Sequence, residues 1–153
     1  MTGFARILED LNEAEVRYVL IGGIALIRHG VVRATRDIDA VFDPDPENVK
    51  RIQLLASKWG ATRPDGSPIP DGGISSDRSI HLATGMGDLD LVSEAVAGFE
   101  FEELLARADT RKVDGVQAPI CSLADLVAMK RAVGRERDLA DLADLEAAHG
   151  ELP

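Results

Sequence analysis

Two short segments restrict the possible folds of this chain more than any other part of its sequence. Residues 17–21 (RYVLI) form a β-favouring run that ends at Gly22-Gly23, and residues 36–42 (RDIDAVF) alternate polar and apolar side chains. The run predicts a buried strand, and the glycine pair predicts a tight turn into a short helix over residues 22–30. The alternation predicts a second strand with one polar face.

The rest of the chain alternates between helical and extended patterns. Helices are expected over residues 4–13, 47–59, 99–108, 122–133 and 137–149. Two short strands over residues 80–83 and 88–92 are expected to form a hairpin around the glycines of residues 85–87, and residues 112–120 a pair of short extended pieces joined by a glycine turn. Residues 63–79 contain three prolines and three glycines and are expected to form an irregular loop. This order predicts an α/β (α+β) fold, in which helices flank a small mixed β-sheet and helices end the chain.

Length and charge narrow the classes of function. We expect a single domain over residues 1–153, with terminal helices at residues 122–149, since 153 residues suit one hydrophobic core. The formal net charge of -10 argues against a basic surface for non-specific binding to DNA. The longest apolar run, residues 18–27, is too short to span a bilayer. The expectation is a cytoplasmic protein without a membrane partner.

The second predicted strand carries the residues with the clearest chemical potential. Asp37 and Asp39 alternate along it, so their carboxylates share one face, about 6–7 Å apart at the backbone. Adjacent carboxylates repel each other unless a cation or protons neutralise them, and oxygen ligands suit Mg²⁺ or Mn²⁺. The residues 87–92 (GDLDLV) carry another alternating pair. Asp90, or alternatively Asp88, would complete a triad if this strand lies beside the first pair. A solvent-exposed acidic face is the competing interpretation.

The motif Gly22-Gly23, thirteen intervening residues, Asp37-x-Asp39 and a later strand aspartate resembles the signature of the nucleotidyltransferase superfamily typified by DNA polymerase β. The resemblance covers essentially the whole chain and implies the nucleotidyltransferase fold. Within the superfamily, the chain looks most similar to AbiEii-type toxin nucleotidyltransferases of bacterial toxin–antitoxin systems. Thr35 before the aspartate pair, and the tail Lys130-x-x-x-x-Arg135-x-x-Asp138-x-x-Asp141, carry that closer likeness.

The resemblance implies Mg²⁺-dependent transfer of a nucleotide from an NTP to an acceptor. Asp37, Asp39 and Asp90 would be the metal-binding and catalytic carboxylates, and Lys130 would be a further catalytic residue. The nucleotide-binding residues that it implies are Gly22, Gly23, Thr35, Arg36, Lys130, Arg135 and Asp138. The glycine pair would let phosphate approach the backbone closely. A plain tight turn is the alternative for these glycines.

The acceptor and the partner are expectations from the same resemblance. An AbiEii-like toxin would act on RNA, such as a tRNA 3′ end, and would have a cognate antitoxin. Three alternatives remain open: an antitoxin-type minimal nucleotidyltransferase that adenylylates a partner protein, transfer to a small molecule, and a catalytically silent nucleotide-binding module. The sequence does not identify which NTP is used.

Lys130 and the histidines have structural alternatives. Lys130 falls inside the apolar stripe of the helix at residues 122–133, together with Leu126, Val127 and Val133. It would contact the triphosphate, extend its ammonium to solvent, or pair with Asp138 between helices. The three histidines have no spacing typical of metal ligands and are predicted to be structural or exposed; they are His29, His81 and His149.

Overall fold

The computed structural model describes residues 2–153; Met1, the first residue of the expected domain, lies outside the described residues. The helices are α1 (Gly3–Glu13), α2 (Gly22–Arg28), α3 (Pro46–Lys58), α4 (Glu94–Ala97), α5 (Phe101–Arg107), α6 (Leu123–Val133) and α7 (Glu136–His149). The strands are β1 (Tyr18–Ile21), β2 (Asp37–Phe42), β3 (Ile80–Thr84), β4 (Gly87–Val92), β5 (Asp109–Val113) and β6 (Val116–Ile120). No helix among residues 2–153 has the length and apolar character to cross a membrane.

The six strands form one mixed sheet in the order β3-β4-β2-β1-β6-β5. Parallel pairing joins β2 to β4 and β1 to β6, while β1–β2, β3–β4 and β5–β6 pair antiparallel. The predicted α/β (α+β) arrangement, with a mixed sheet flanked by helices and helices at the end of the chain, is confirmed.

One face of the sheet is strictly apolar in its central strands. Ile38 and Ala40 of β2 and Leu89 and Leu91 of β4 are at most 1% exposed. Side chains alternate between the two faces of a strand, so burial of these four directs the intervening aspartates to the opposite face. The register of the apolar core therefore fixes the side on which the acidic residues lie.

Several details differ from the sequence expectation. The helix predicted over residues 99–108 is shorter, because it begins at Phe101, and a further single-turn helix, α4, precedes it. Ser93 caps α4 by accepting a hydrogen bond from the backbone of Val96, and Gly98 ends it with a positive φ of 77°. Val133, placed in the buried stripe of α6 by its spacing, is 58% exposed because the helix ends there.

The proline- and glycine-rich segment is an irregular loop, as predicted. Its start is tied to the edge of the sheet, because Thr62 exchanges backbone hydrogen bonds with Ala83 of β3. Within it, Ile74 is only 3% exposed and belongs to the core. The loop therefore returns the chain from α3 to the sheet edge and delivers β3 next to β4.

Candidate active site

The parallel register of β2 and β4 brings four aspartates onto one face of the sheet. Asp37 is the partner of Asp88, and Asp39 is the partner of Asp90. Neighbouring strands lie about 4.8 Å apart, so each carboxylate is next to another one. The prediction that residues 87–92 form a strand beside Asp37 and Asp39 is confirmed. We refer to Asp37, Asp39, Asp88 and Asp90 as the carboxylate face.

Asp39 is the most perturbed member of the carboxylate face. Burial raises the pKa of its carboxyl to about 6, and the negative charges of Asp90 and Asp37 add to the effect. The Gly23 backbone N–H and the Lys130 ammonium act in the opposite direction. Asp90 is one of the charges that raise this pKa, whereas Asp88 is not among its causes. The choice of Asp90 over Asp88 as the third carboxylate stays a prediction. A cation beside Asp39 would favour its ionised carboxylate and so lower its pKa.

The glycine pair packs directly against the same carboxylate. Gly22 has a φ of +63°, and a Cβ atom on it would lie 2.2 Å from Oδ2 of Asp39. A Cβ atom on Gly23 would lie 2.7 Å from Oγ1 of Thr35. The Thr35 hydroxyl donates to the backbone carbonyl of Asp37 at 3.2 Å. Side chains of neighbouring residues lie too close to Gly22 and Gly23 for a Cβ atom, so both positions require glycine. The two glycines pack the start of α2 against the segment that carries the aspartate pair of β2.

His81 is a site residue that the sequence reasoning missed. Its Nδ1 lies 3.1 Å from Oδ1 of Asp90, and its Nε2 lies 2.9 Å from Oδ2 of Asp88. Burial lowers the pKa of His81, but its hydrogen bonds with Asp88 and Asp90 and their charges outweigh burial, so the pKa is raised. Spacing along the chain gives no signal for this contact. The available signal is the β3–β4 hairpin, whose register places His81 opposite Asp90.

A second set of carboxylates lies where α6 and α7 meet. The Lys130 ammonium is 3.3 Å from Oδ1 of Asp138 and 2.8 Å from Oδ2 of Asp141. Arg135 donates through Nε to Asp138 at 2.8 Å, and Arg33 through Nη1 to Asp141 at 2.9 Å. We refer to these five residues as the α6–α7 network. Asp138 is 1% exposed, and its hydrogen bonds with Arg135, followed by Lys130, lower its pKa to about 2.

The nucleotide-binding residues predicted from the tail of the chain thus lie in an ion-pair network. Of the alternatives for Lys130, the interhelical pair with Asp138 is present. Asp138 is buried and paired with Lys130 and Arg135, so its predicted part in nucleotide binding is not tested by these contacts. Direct contact of Lys130 or Arg135 with a triphosphate stays a prediction. Arg36 is exposed directly before β2, and Thr35 is half-buried.

The donor set of the carboxylate face suits a hard divalent cation. Carboxylate oxygens are the ligands that Mg²⁺ and Mn²⁺ prefer, and the raised pKa of Asp39 reflects negative charge that a cation would neutralise. Within residues 2–153, however, no three His, Cys, Asp or Glu side chains already converge as a metal-binding group. The residues fit the metal by the chemistry of their oxygen atoms and by the face of the sheet that they share.

Comparison with known proteins agrees with this arrangement. The family described as "Nucleotidyltransferase of unknown function (DUF6036)" matches residues 3–148. The chain belongs to this family. The nucleotidyltransferase assignment from the glycine and aspartate motifs is therefore confirmed, and the chain is an NTP-transferring enzyme by family. No curated protein matches this DUF6036 nucleotidyltransferase in sequence.

Solved structures share the fold of this DUF6036 protein at low sequence identity. The antibiotic-resistance factor ANT(2'')-Ia is 14% identical with a TM-score of 0.64, over 97% of this chain and 83% of that one. The lincomycin-bound lincosamide antibiotic adenylyltransferase LnuA is 17% identical with a TM-score of 0.61, over 95% and 96%. An antigenic nucleotidyltransferase-like protein from Paracoccidioides brasiliensis is 16% identical with a TM-score of 0.63, over 94% and 72%. These likenesses establish the nucleotidyltransferase fold, while the closer likeness to AbiEii-type toxins stays a prediction.

Proposed function

We propose that the protein transfers a nucleotide from an NTP to an acceptor hydroxyl, with Mg²⁺ or Mn²⁺ held by Asp37, Asp39 and Asp90. The observation that carries this proposal is the register of β2 and β4, which pairs Asp39 with Asp90. The carboxylate of Asp39 also packs directly against Gly22. The family match to nucleotidyltransferases supports the same conclusion.

The chain's own residues divide the work of such a transfer. The acceptor oxygen forms a bond to the α-phosphorus while the bond to pyrophosphate breaks, and a carboxylate receives the hydroxyl proton. Asp90, at the more exposed strand, would orient the acceptor hydroxyl and take that proton, and Gly22 and Gly23 would leave room for the phosphates. When bound, the divalent cation supplies neutralisation of the triphosphate charge.

The sequence resemblance supports RNA as the acceptor. The motifs around Thr35 and in the Lys130–Asp141 tail resemble AbiEii-type toxins, so transfer to an RNA such as a tRNA 3′ end, with a cognate antitoxin as partner, is one form of the proposal. RNA recognition depends on free cationic side chains along the phosphate backbone. Arg28, at the end of α2, and Arg36, directly before β2, are exposed and are the candidates for that contact.

The charge distribution supports a second acceptor class. The net charge is -10, and three cationic side chains that RNA could use are bound to carboxylates of the chain: Arg33, Lys130 and Arg135. An acidic surface attracts neutral or cationic acceptors more than nucleic acid. Proteins of the same fold include an antibiotic-resistance factor and a lincosamide antibiotic adenylyltransferase. A small hydroxylated molecule is therefore the acceptor that the charges favour.

One assay tests the transfer and the acceptor together. The protein is incubated with each α-labelled NTP, Mg²⁺, and in parallel total RNA, a soluble protein extract, or a panel of aminoglycosides and lincosamides. Label on one acceptor class, with pyrophosphate release, is the expected result. Asp37→Asn, Asp39→Asn and Asp90→Asn would each remove one ligand of the cation. The bound cation stabilises the charge of the transition state by several kcal/mol. Turnover of each variant should fall at least about a hundredfold.

A matched carboxylate provides the control. Asp71 lies exposed in the irregular loop, so Asp71→Asn makes the same chemical change outside the carboxylate face and should retain transfer. Full labelling by Asp39→Asn would overturn the assignment of the metal site. No NTP turnover by the wild type with any acceptor would overturn the proposed function.

A further inference from the structure

His81 differs from the other two histidines in what its ring contacts. His29 and His149 each place Nε2 against a backbone carbonyl, that of Cys121 and that of His29 respectively. Both ring nitrogens of His81 instead face carboxylate oxygens of β4. The ring spans from Asp88 to Asp90 across the edge of the carboxylate face, and its side chain is 27% exposed.

This contact restricts a carboxylate that would otherwise be free to rotate. The side chain of Asp90 is 42% exposed, and an exposed aspartate populates several rotamers. His81 lies directly opposite Asp90 in the antiparallel β3–β4 ladder, so the contact is set by the sheet register. Nδ1 of His81 approaches Oδ1 of Asp90. The second oxygen, Oδ2, remains available on the same side chain.

We propose that His81 is a positioning residue, which holds Asp90 in the orientation that directs its free oxygen to the cation shared with Asp39. The inference rests on the proposed function, because it assigns His81 to the support of the same carboxylate. Carboxylates that ligate metals are commonly oriented by a hydrogen-bond donor on their other oxygen, and loss of that donor weakens metal binding. The Nε2 contact with Asp88 fixes the far side of the ring and thereby its plane.

Three substitutions at this position separate the two contacts. His81→Phe keeps a planar ring and removes both ring nitrogens. His81→Asn places an amide nitrogen near the position of Nδ1, so it preserves the contact with Asp90. His81→Gln reaches the position of Nε2 and preserves the contact with Asp88. The matched control is His149→Phe, which makes the same change at a histidine whose ring contacts a backbone carbonyl.

Two measurements are made on each purified protein. Scalar couplings report the χ1 rotamer of Asp90 in the absence of metal, and titration with Mn²⁺, followed by electron paramagnetic resonance, reports cation affinity. We expect one Asp90 rotamer in the wild type and rotamer averaging in His81→Phe. Mn²⁺ affinity should fall about ten- to a hundredfold in His81→Phe. His81→Asn should restore most of the affinity, whereas His81→Gln should not.

The outcomes distinguish this inference from the proposed function. An unchanged Asp90 rotamer and unchanged Mn²⁺ affinity in His81→Phe would overturn the positioning role, even if the wild type transfers nucleotides. Tighter Mn²⁺ binding in His81→Phe would also overturn it, since His81 would then compete with the cation. If the wild type fails to bind Mn²⁺, the proposed cation site and the inference that rests on it are both overturned, whatever the rotamer of Asp90.

Discussion

The carboxylate face and the α6–α7 network each contain several aspartates, but the two regions treat their charges in opposite ways. Asp39 has acidic neighbours on its own strand and on β4, and burial with those charges raises its pKa to about 6. Asp138 is more deeply buried, yet its contacts with Arg135 and Lys130 lower its pKa to about 2. Burial alone does not determine the direction in which the pKa of a carboxyl group shifts; the charges within contact distance do.

The difference indicates which region of this protein contains unfavourable charge repulsion. In the α6–α7 network each of the two carboxylates is paired with cations, so the network stabilises the junction of two helices. The carboxylate face carries uncompensated negative charge that costs stability, which is typical of a binding site. Substitutions that remove one charged group should therefore have opposite effects on stability in the two regions.

Removal of the central cation of the α6–α7 network should produce the largest change in stability. Lys130→Met retains the apolar stem but leaves Asp138 and Asp141 with only Arg135 and Arg33. Loss of one partner in a buried ion pair is strongly destabilising, and because these arginines remain we expect a loss of about 2 kcal/mol. Chemical denaturation at neutral pH measures the free energy of unfolding.

Arg131→Met is the matched control on the same helix. Arg131 is exposed and donates to the terminal backbone carbonyl of Pro153 rather than to a buried carboxylate, so its loss should change stability little. Nucleotide affinity measured on both variants tests the predicted contact of Lys130 with triphosphate. A tenfold loss confined to Lys130→Met would support that contact. Equal free energies of unfolding for Lys130→Met and Arg131→Met would contradict the stabilising role assigned to the α6–α7 network.

Neutralisation on the carboxylate face should have the opposite sign. Asp39→Asn removes a charge that burial, Asp90 and Asp37 all disfavour, so the free energy of unfolding at pH 8 should rise by about 1–2 kcal/mol. Metal-dependent transfer should be lost in the same variant. A variant that gains stability while it loses activity is the outcome that only a functional carboxylate produces.

The pH dependence of that gain follows from the direction of the shift. The folded state keeps the Asp39 proton up to pH about 6, whereas an unfolded aspartate loses it near 3.8. Wild-type stability should therefore fall as pH rises from about 4 to 6, and the advantage of Asp39→Asn should appear over the same interval. A constant difference between the two proteins from pH 4 to 8 would contradict the assignment.

The smallest expected effect connects the two regions. The charge of Lys130 lowers the pKa of Asp39, so Lys130→Met should raise it further, by a fraction of a pH unit. Carbon-13 titration of the Asp39 carboxyl group measures the shift, with Arg131→Met as reference. An Asp39 pKa that is identical in Lys130→Met and the wild type would show that the α6–α7 network is electrostatically isolated from the carboxylate face.

Patterns that depend on neighbouring residues were predictable from the sequence. The alternation in residues 36–42 placed Asp37 and Asp39 on one face, and the run before Gly22-Gly23 gave the turn that contacts them. The hairpin around residues 85–87 likewise followed from its glycines. In each case the sheet period or a turn requirement determines the structure from a few consecutive residues.

Contacts between segments that are distant in the chain were harder to predict from the sequence. No local signal paired Arg33 with Asp141, because these residues meet only when α7 packs beside the loop that precedes β2. His81 had a partial signal in its hairpin partner Asp90, but the bridge to Asp88 depends on the rotamer of the ring. The exposure of Val133 reflects where α6 ends, which periodicity places less accurately than the helix itself.

The parallel pairing of β2 with β4 has a consequence for how the chain folds. The turn at Gly22 and the aspartate pair of β2 form from adjacent segments, but Asp90 reaches them across about fifty positions of chain. Closing so long a segment costs entropy before the pairing returns any contact, so this step should come late. In pulsed hydrogen exchange during refolding, backbone amides of β1 and β2 should become protected before those of β4. The protein would then pair β1 with β2 before it completes its set of carboxylates.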